Sequence, residues 1–193
     1  MRKPFYYPVF LNLEGKKCVV IGGGKVAERK VLSLLKAGAE VTVISPECTK
    51  NLSRKAISGD IKCIDRKYKQ GDLKNAFLVV AATDDNEINE KVFEESAHLI
   101  NVVDMPLLCN FIVPSVVRRG PLTIAISTSG ISPSLAKTIR KELERLYVPG
   151  FAKSLNKLRQ VRREAIAEIR DKTDRERFLK KQAENILKKL RRV

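Results

Sequence analysis

Three groups of residues in this chain have the types and spacing to do chemistry. The first is Gly22-Gly23-Gly24-Lys25-Val26-Ala27, a G-x-G-x-x-A run placed directly after the β-branched stretch Lys17 to Ile21 and at the start of a helical pattern. Each small residue has a task there. Gly22 permits the tight turn, Gly24 lets a pyrophosphate approach the backbone, and Ala27 lets the helix pack closely on the strand. The helix start adds unpaired N–H groups and the positive end of the helix dipole. Such a run suits a dinucleotide; a glycine-rich turn that binds nothing is disfavoured by its place in the first strand–helix unit. The second group is a single carboxylate, Asp104, at the end of the apolar run Leu99 to Val103, which by itself reads as a cap on the turn before Met105-Pro106. The third is Ser127-Thr128-Ser129-Gly130, ahead of a helix start at Ser132-Pro133. Its hydroxyls and N–H groups suit a carboxylate ligand, while Ser129 or Ser132 could equally be an ordinary cap.

Further residues bear on the dinucleotide reading. The acidic residue that usually ends the second strand and binds the adenosine ribose is not in its place; Ser45-Pro46-Glu47 occupies that region, and Glu47 can serve although it lies past the strand end. No Arg stands at that turn to suggest a 2′-phosphate pocket, so NAD is preferred over NADP. Thr83 and Asp84 follow the fourth apolar run, at the edge where open α/β sheets bind ligands, and can contact the cofactor, with Asp85 capping the next helix. Cys18, Cys48, Cys63 and Cys109 are widely separated and His98 is the only histidine, so no metal-ligand cluster is visible and the thiols read as buried or half-buried packing. His98 reads as structural, and Arg118-Arg119 as a solvated turn or a carboxylate pair.

The elements that must position these groups follow from the pattern. Strands are expected at Lys17 to Ile21, Glu40 to Ser45, Ile61 to Asp65, Phe77 to Ala82 and Leu99 to Val103. Helices are expected at Lys25 to Ala37, within Thr49 to Ser58, and from Asp85 or Asn86 through Ala97. Continuous apolar strands alternating with helices predict an α/β fold, a Rossmann-like parallel sheet covered on both faces. After Asp104 the alternation stops. Asn110 to Arg118 and Pro121 to Ser127 read as two antiparallel strands, Ser132-Pro133 starts a helix to about Leu146, and two amphipathic helices follow at Phe151 to Arg170 and Asp174 to Leu190.

Charge and composition narrow the partners. The 193 residues carry 38 Lys and Arg against 22 Asp and Glu, a formal +16, and 44% are hydrophobic. That apolar fraction excludes a disordered chain, and no apolar run approaches the ~20 residues of a membrane span. Met1 to Leu13 is broken by Pro4 and Pro8 and has no signal-peptide pattern, so a cytoplasmic protein with no membrane association is expected. The excess charge predicts an anionic partner. Residues 151–193 hold 15 cations against 6 anions, which makes a nucleotide-sensing or nucleic-acid-binding module the competing class. Nucleic acid ranks low, because that stretch offers only Phe151 and Phe178 for stacking.

Asn101-Val102-Val103-Asp104, Phe111-Ile112-Val113-Pro114-Ser115 and Gly120-Pro121-Leu122-Thr123-Ile124-Ala125-Ile126-Ser127-Thr128-Ser129-Gly130-Ile131-Ser132-Pro133 together resemble the sirohaem synthase dehydrogenase family, with Leu11-Asn12-Leu13 and Gly22 to Arg29 matching as well. The resemblance covers about residues 5–150. It implies an NAD-binding Rossmann domain over 1–109, a dimerisation region over 110–149 and a small helical domain over 150–193. It further implies NAD-dependent oxidation of precorrin-2, a tetrapyrrole with eight carboxylates, to sirohydrochlorin, with insertion of ferrous iron as a second activity, in a homodimer. By the same resemblance Asp104 matches the family's essential aspartate, a general base. Ser127 to Gly130 fall at the substrate, and Thr128 stands where some relatives carry a serine linked to phosphorylation.

Overall fold

The computed structural model describes residues 6–190, which form two compact units, 6–112 and 113–190. The first unit runs β1 (Lys17–Ile21), α1 (Lys25–Leu35), β2 (Glu40–Ile44), α2 (Lys50–Ile57), β3 (Lys62–Ile64), β4 (Leu78–Ala81), α3 (Asn86–Glu95) and β5 (Leu99–Val102). The strands are parallel and ordered β3-β2-β1-β4-β5, so the chain reverses direction across the sheet at β1. That reversal opens a crevice at the carboxyl ends of β1 and β4.

Alternate residues of each strand serve opposite faces. Cys18, Val20, Val43 and Val80 pack with Ala27 and Val31 of α1, and Val19, Ile21, Val79 and Ile100 pack with Val92 of α3. Two apolar faces explain why the strands read as continuous hydrophobic runs. The helices stop and start on local chemistry. Thr49 caps α2 by accepting from Leu52 N, and Asp85 caps α3 by accepting from Ile88 N at 3.1 Å. Gly38 takes the left-handed φ of +81° that ends α1, closing the helix two residues before the expected Ala37.

The second unit contains β6 (Ser115–Arg119), β7 (Leu122–Ile126), α4 (Pro133–Leu146), α5 (Phe151–Glu168) and α6 (Lys172–Leu190). β6 and β7 pair antiparallel, with Arg119 opposite Leu122 across the two-residue turn Gly120-Pro121. Gly120 sits at φ +58°, the position that such a turn reserves for glycine. β6 starts at Ser115 rather than at Asn110. Pro114 has no N–H to give a ladder, and the Asn110 side chain is already spent on β5, accepting from Ile100 N at 2.8 Å and donating to His98 O at 2.5 Å. That segment covers the free edge of β5.

Arg118 is exposed, as a solvated turn requires, whereas Arg119 is half-buried and its side chain is already bonded. Its guanidinium donates to the carbonyls of Tyr147 and Glu144 (3.0 Å for the latter), satisfying groups that the C-terminal turn of α4 leaves unpaired. Ser132 accepts from Leu135 N at 3.2 Å and Pro133 opens α4. No helix among the described residues is long and apolar enough to cross a membrane.

Candidate functional site

The crevice above β1 and β4 holds a cleft of about 700 Å³. Gly22, Gly23, Gly24, Lys25 and Val26 line it from the β1–α1 turn, Ser45, Pro46 and Glu47 from the end of β2, and Thr83 and Asp84 from the end of β4. The glycines are there for different reasons. Gly22 has φ +111°, and a Cβ on it would lie 2.3 Å from Ala82 O. A Cβ on Gly23 would lie 2.0 Å from Glu47 O, so the β2–α2 loop rests directly on this residue. Gly24 has an ordinary φ of −75° and nothing within 4 Å of its Cβ position, so its bare backbone faces open space. As N-cap of α1 it makes no side-chain bond, which leaves the first N–H groups of the helix turned toward the cleft without a side-chain partner.

The loop after β2 is pinned from below. Glu28, in the first turn of α1, accepts from Thr49 Oγ1 and from Asn51 Nδ2 at 2.9 Å. Those two bonds, with Arg54 and Lys25 nearby, hold its carboxyl below the ordinary glutamate value. Ser45 Oγ donates to Glu47 O at 2.7 Å, which turns the chain so that the Glu47 side chain is exposed at the cleft. Thr83 Oγ1 lies 2.9 Å from Asn89 Oδ1 and accepts from Asp85 N at 3.2 Å, while Asp84 is exposed.

Asp104 stands two residues beyond β5, exposed, with φ +61°. A left-handed non-glycine backbone is unfavourable and is kept here by its surroundings. The thiol of Cys109 accepts from Val102 N at 3.2 Å and reaches the carbonyls of Val102 (3.2 Å) and Met105 (3.4 Å), closing the loop on both sides of Asp104. Asp104 makes no side-chain hydrogen bond among the described residues. It therefore does not act as the turn cap that the sequence taken alone suggests, and it is not among the residues lining the cleft.

Ser127, Thr128, Ser129 and Gly130 belong to the second unit, between β7 and α4. Ser127 Oγ accepts from Ser129 N and Thr128 Oγ1 accepts from Ser132 N, both at 3.0 Å, while Ser129 (φ +50°) and Gly130 (φ +80°) turn the backbone. The cap of α4 is Ser132, and the Ser129 hydroxyl makes no bond among the described residues.

The family model described as "Putative NAD(P)-binding" matches residues 9–115. The chain belongs to this NAD(P)-binding family. A second model, of the central part of sirohaem biosynthesis proteins, matches residues 119–146. Among curated relatives of this NAD(P)-binding chain, a sirohaem synthase of Nitrosococcus oceani is 42% identical over 151 residues, covering 77% of this chain and 32% of the relative. A sirohaem synthase of Neisseria meningitidis is 38% identical over 180 residues, covering 92% of this chain and 37% of the relative. The chain thus spans about a third of the length of these relatives. Among solved structures, SirC, a precorrin-2 dehydrogenase, superposes with a TM-score of 0.82 at 27% identity, covering 97% of this chain and 100% of that one.

Several residues at the cleft of this family member escape sequence reasoning. Lys67 and Tyr68, from the loop after β3, line it opposite Ile88. Tyr68 is anchored through its hydroxyl to Glu95, which also accepts from Gly71 N at 2.9 Å; burial first, and then this carboxylate, push the phenol well above its usual range. The available signal was position, since Lys67-Tyr68 follows a strand at the ligand-binding edge. Cys48 also lines the cleft, its thiol free and held above the ordinary cysteine pKa chiefly by burial. Among the described residues no group of three or more His, Cys, Asp or Glu could hold a metal ion.

Proposed function

We propose that this chain is an NAD-dependent dehydrogenase that oxidises precorrin-2 to sirohydrochlorin, in the cytoplasm and as a homodimer. The observation that carries the reading is the pairing, in one unit, of a glycine-floored cleft with an exposed carboxylate on a strained turn at the end of β5. The cleft fits NAD. The pyrophosphate lies against Gly24 and the first N–H groups of α1, at Lys25 and Val26. Gly22 and Gly23 keep the floor low, Ser45 and Pro46 turn the chain, and Glu47 takes the adenosine ribose hydroxyls. Thr83 and Asp84 border the cofactor from β4.

NAD, when bound, accepts the hydride that leaves the reduced macrocycle. The proton lost with it goes to the Asp104 carboxylate, so that precorrin-2 and NAD⁺ give sirohydrochlorin, NADH and one proton. A turn that holds Asp104 by backbone and thiol bonds leaves both carboxylate oxygens available. In the second unit the O–H groups of Ser127, Thr128 and Ser129, with Gly130 N–H, donate to a substrate carboxylate; accepting a backbone bond does not use up a hydroxyl's own proton. The division into an NAD-binding part over 1–109, a dimerisation region over 110–149 and a helical part over 150–193 belongs to the same reading. Ferrous iron is proposed as a second substrate, inserted into sirohydrochlorin with Asp104 taking pyrrole N–H protons.

The test supplies precorrin-2 and NAD and follows NADH absorbance, then adds ferrous iron and follows sirohaem. NADH formation that depends on the protein is expected, and its absence would sink the dehydrogenase reading. Iron insertion no faster than the uncatalysed rate would remove the second substrate alone. Sedimentation as a monomer at micromolar concentration would remove the homodimer.

A further inference from the structure

Lys30 lies in the second turn of α1, and its side chain is half-buried. It takes part in no ion pair among the described residues. Its one hydrogen bond among the described residues runs from Nζ to Asn101 Oδ1, at 3.3 Å. Asn101 is itself buried (9% exposed), and its Nδ2 donates to Phe111 O at 3.2 Å, which fixes the amide with its oxygen toward the ammonium. Burial and the neighbouring Arg29 hold the Lys30 pKa below the usual lysine value, while Cys109 and Asp104 act the other way.

A desolvated ammonium with a single neutral acceptor is a poor packing choice. An apolar side chain of similar length would fill the space without taking a charge out of water. Of the three N–H donors, one is used among the described residues. The anion that would repay the burial is not the dinucleotide pyrophosphate, because Lys30 is not among the residues lining the cleft. It lies instead over β5, against the residue three before Asp104.

We infer that Lys30 is a substrate-binding residue whose ammonium takes a carboxylate of the macrocycle and sets the ring against Asp104. The identity of the macrocycle rests on the proposed function, whereas the anion site rests on the unpaired cation. An acetate or propionate side chain reaching Nζ would complete the charge, and Asn101 would keep the ammonium from swinging away. Arginine could replace the charge, and methionine or glutamine could not.

The test titrates uroporphyrin, a stable octacarboxylate macrocycle, against wild type, Lys30→Met, Lys30→Gln and Lys30→Arg by fluorescence quenching, with NAD affinity measured alongside. The expected result is a Kd for uroporphyrin raised about tenfold or more in Lys30→Met and Lys30→Gln, largely restored in Lys30→Arg, with NAD affinity unchanged. In turnover the same variants should raise KM for precorrin-2 more than they lower kcat. Uroporphyrin affinity within about twofold of wild type, in a variant that still binds NAD, overturns the assignment. Weaker uroporphyrin binding in the Met and Gln variants of a protein that forms no NADH would keep the anion site and discard the dehydrogenase reading.

Discussion

The two units of this chain hold themselves together by different means. The first buries whole strands on both faces of a sheet, and its functional loops sit on that rigid base. The second buries only Val117, Ala136, Phe151 and Ala165 among its described apolar residues. It leaves Ile131 74% and Ile166 56% exposed, and its β6–β7 hairpin is fastened through the bonds that Arg119 makes to the end of α4. Stability scales with the apolar surface removed from water, so a small core of this kind depends on polar capping and on any partner that covers its faces. The contrast teaches that chemistry needing a fixed geometry belongs to the first unit, and that the second is suited to contacts able to adapt.

The largest expected effect tests that division at its sharpest point. Asp104→Ala should lower precorrin-2 turnover by about 10²–10⁴-fold with unchanged NAD affinity, since the carboxylate lies outside the cleft. Unaltered turnover would take Asp104 out of the mechanism. Next, Gly23→Val places a Cβ against the Glu47 carbonyl, 2.0 Å away, and should reduce NAD affinity at least about tenfold, read by calorimetry.

Core truncation compares the units directly. Leu52→Ala, at a fully buried site of the first unit, should cost about 2–5 kcal/mol in denaturant unfolding. Arg119→Met removes the bonds to α4 and should cost the second unit about 1.5–3 kcal/mol, seen as faster amide exchange near Tyr147. Equal loss of exchange protection in both units would dissolve the distinction.

The smallest effect is in pH. Glu28 is held below its ordinary value of 4.5, so its contribution is complete above that value and is lost as the pH falls through the lowered value of the folded state. The start of α2, from Thr49 to Asn51, should loosen in acid, and Glu28→Gln should remove that part of the pH dependence of NAD binding.

Much of this was legible in the chain because it is local. A strand followed by G-x-G-x-x-A defines a turn within a few residues, and Ser132-Pro133 writes the start of α4 outright. The misplaced start of β6 shows the limit. Asn110 to Pro114 has an extended, apolar look, but the amide of Asn110 had already been claimed by Ile100 and His98, residues brought to it by the turn after β5.

What the sequence by itself determined is the class of fold, the order of its elements and the residues that could do chemistry, because periodicity, turn chemistry and motif spacing act over short stretches. Only the tertiary structure decided what those residues are free to do. It gave the Gly23 floor a ceiling from the loop after β2, directed Arg119 to a helix end, freed the Asp104 carboxylate by letting Cys109 hold its turn, and set Lys30 over Asn101, 71 residues away, in no ion pair among the described residues. The physical reason is that a polar group's availability depends on whether another group has already paired with it. That partner is chosen by packing across the sheet, not by neighbours in the chain.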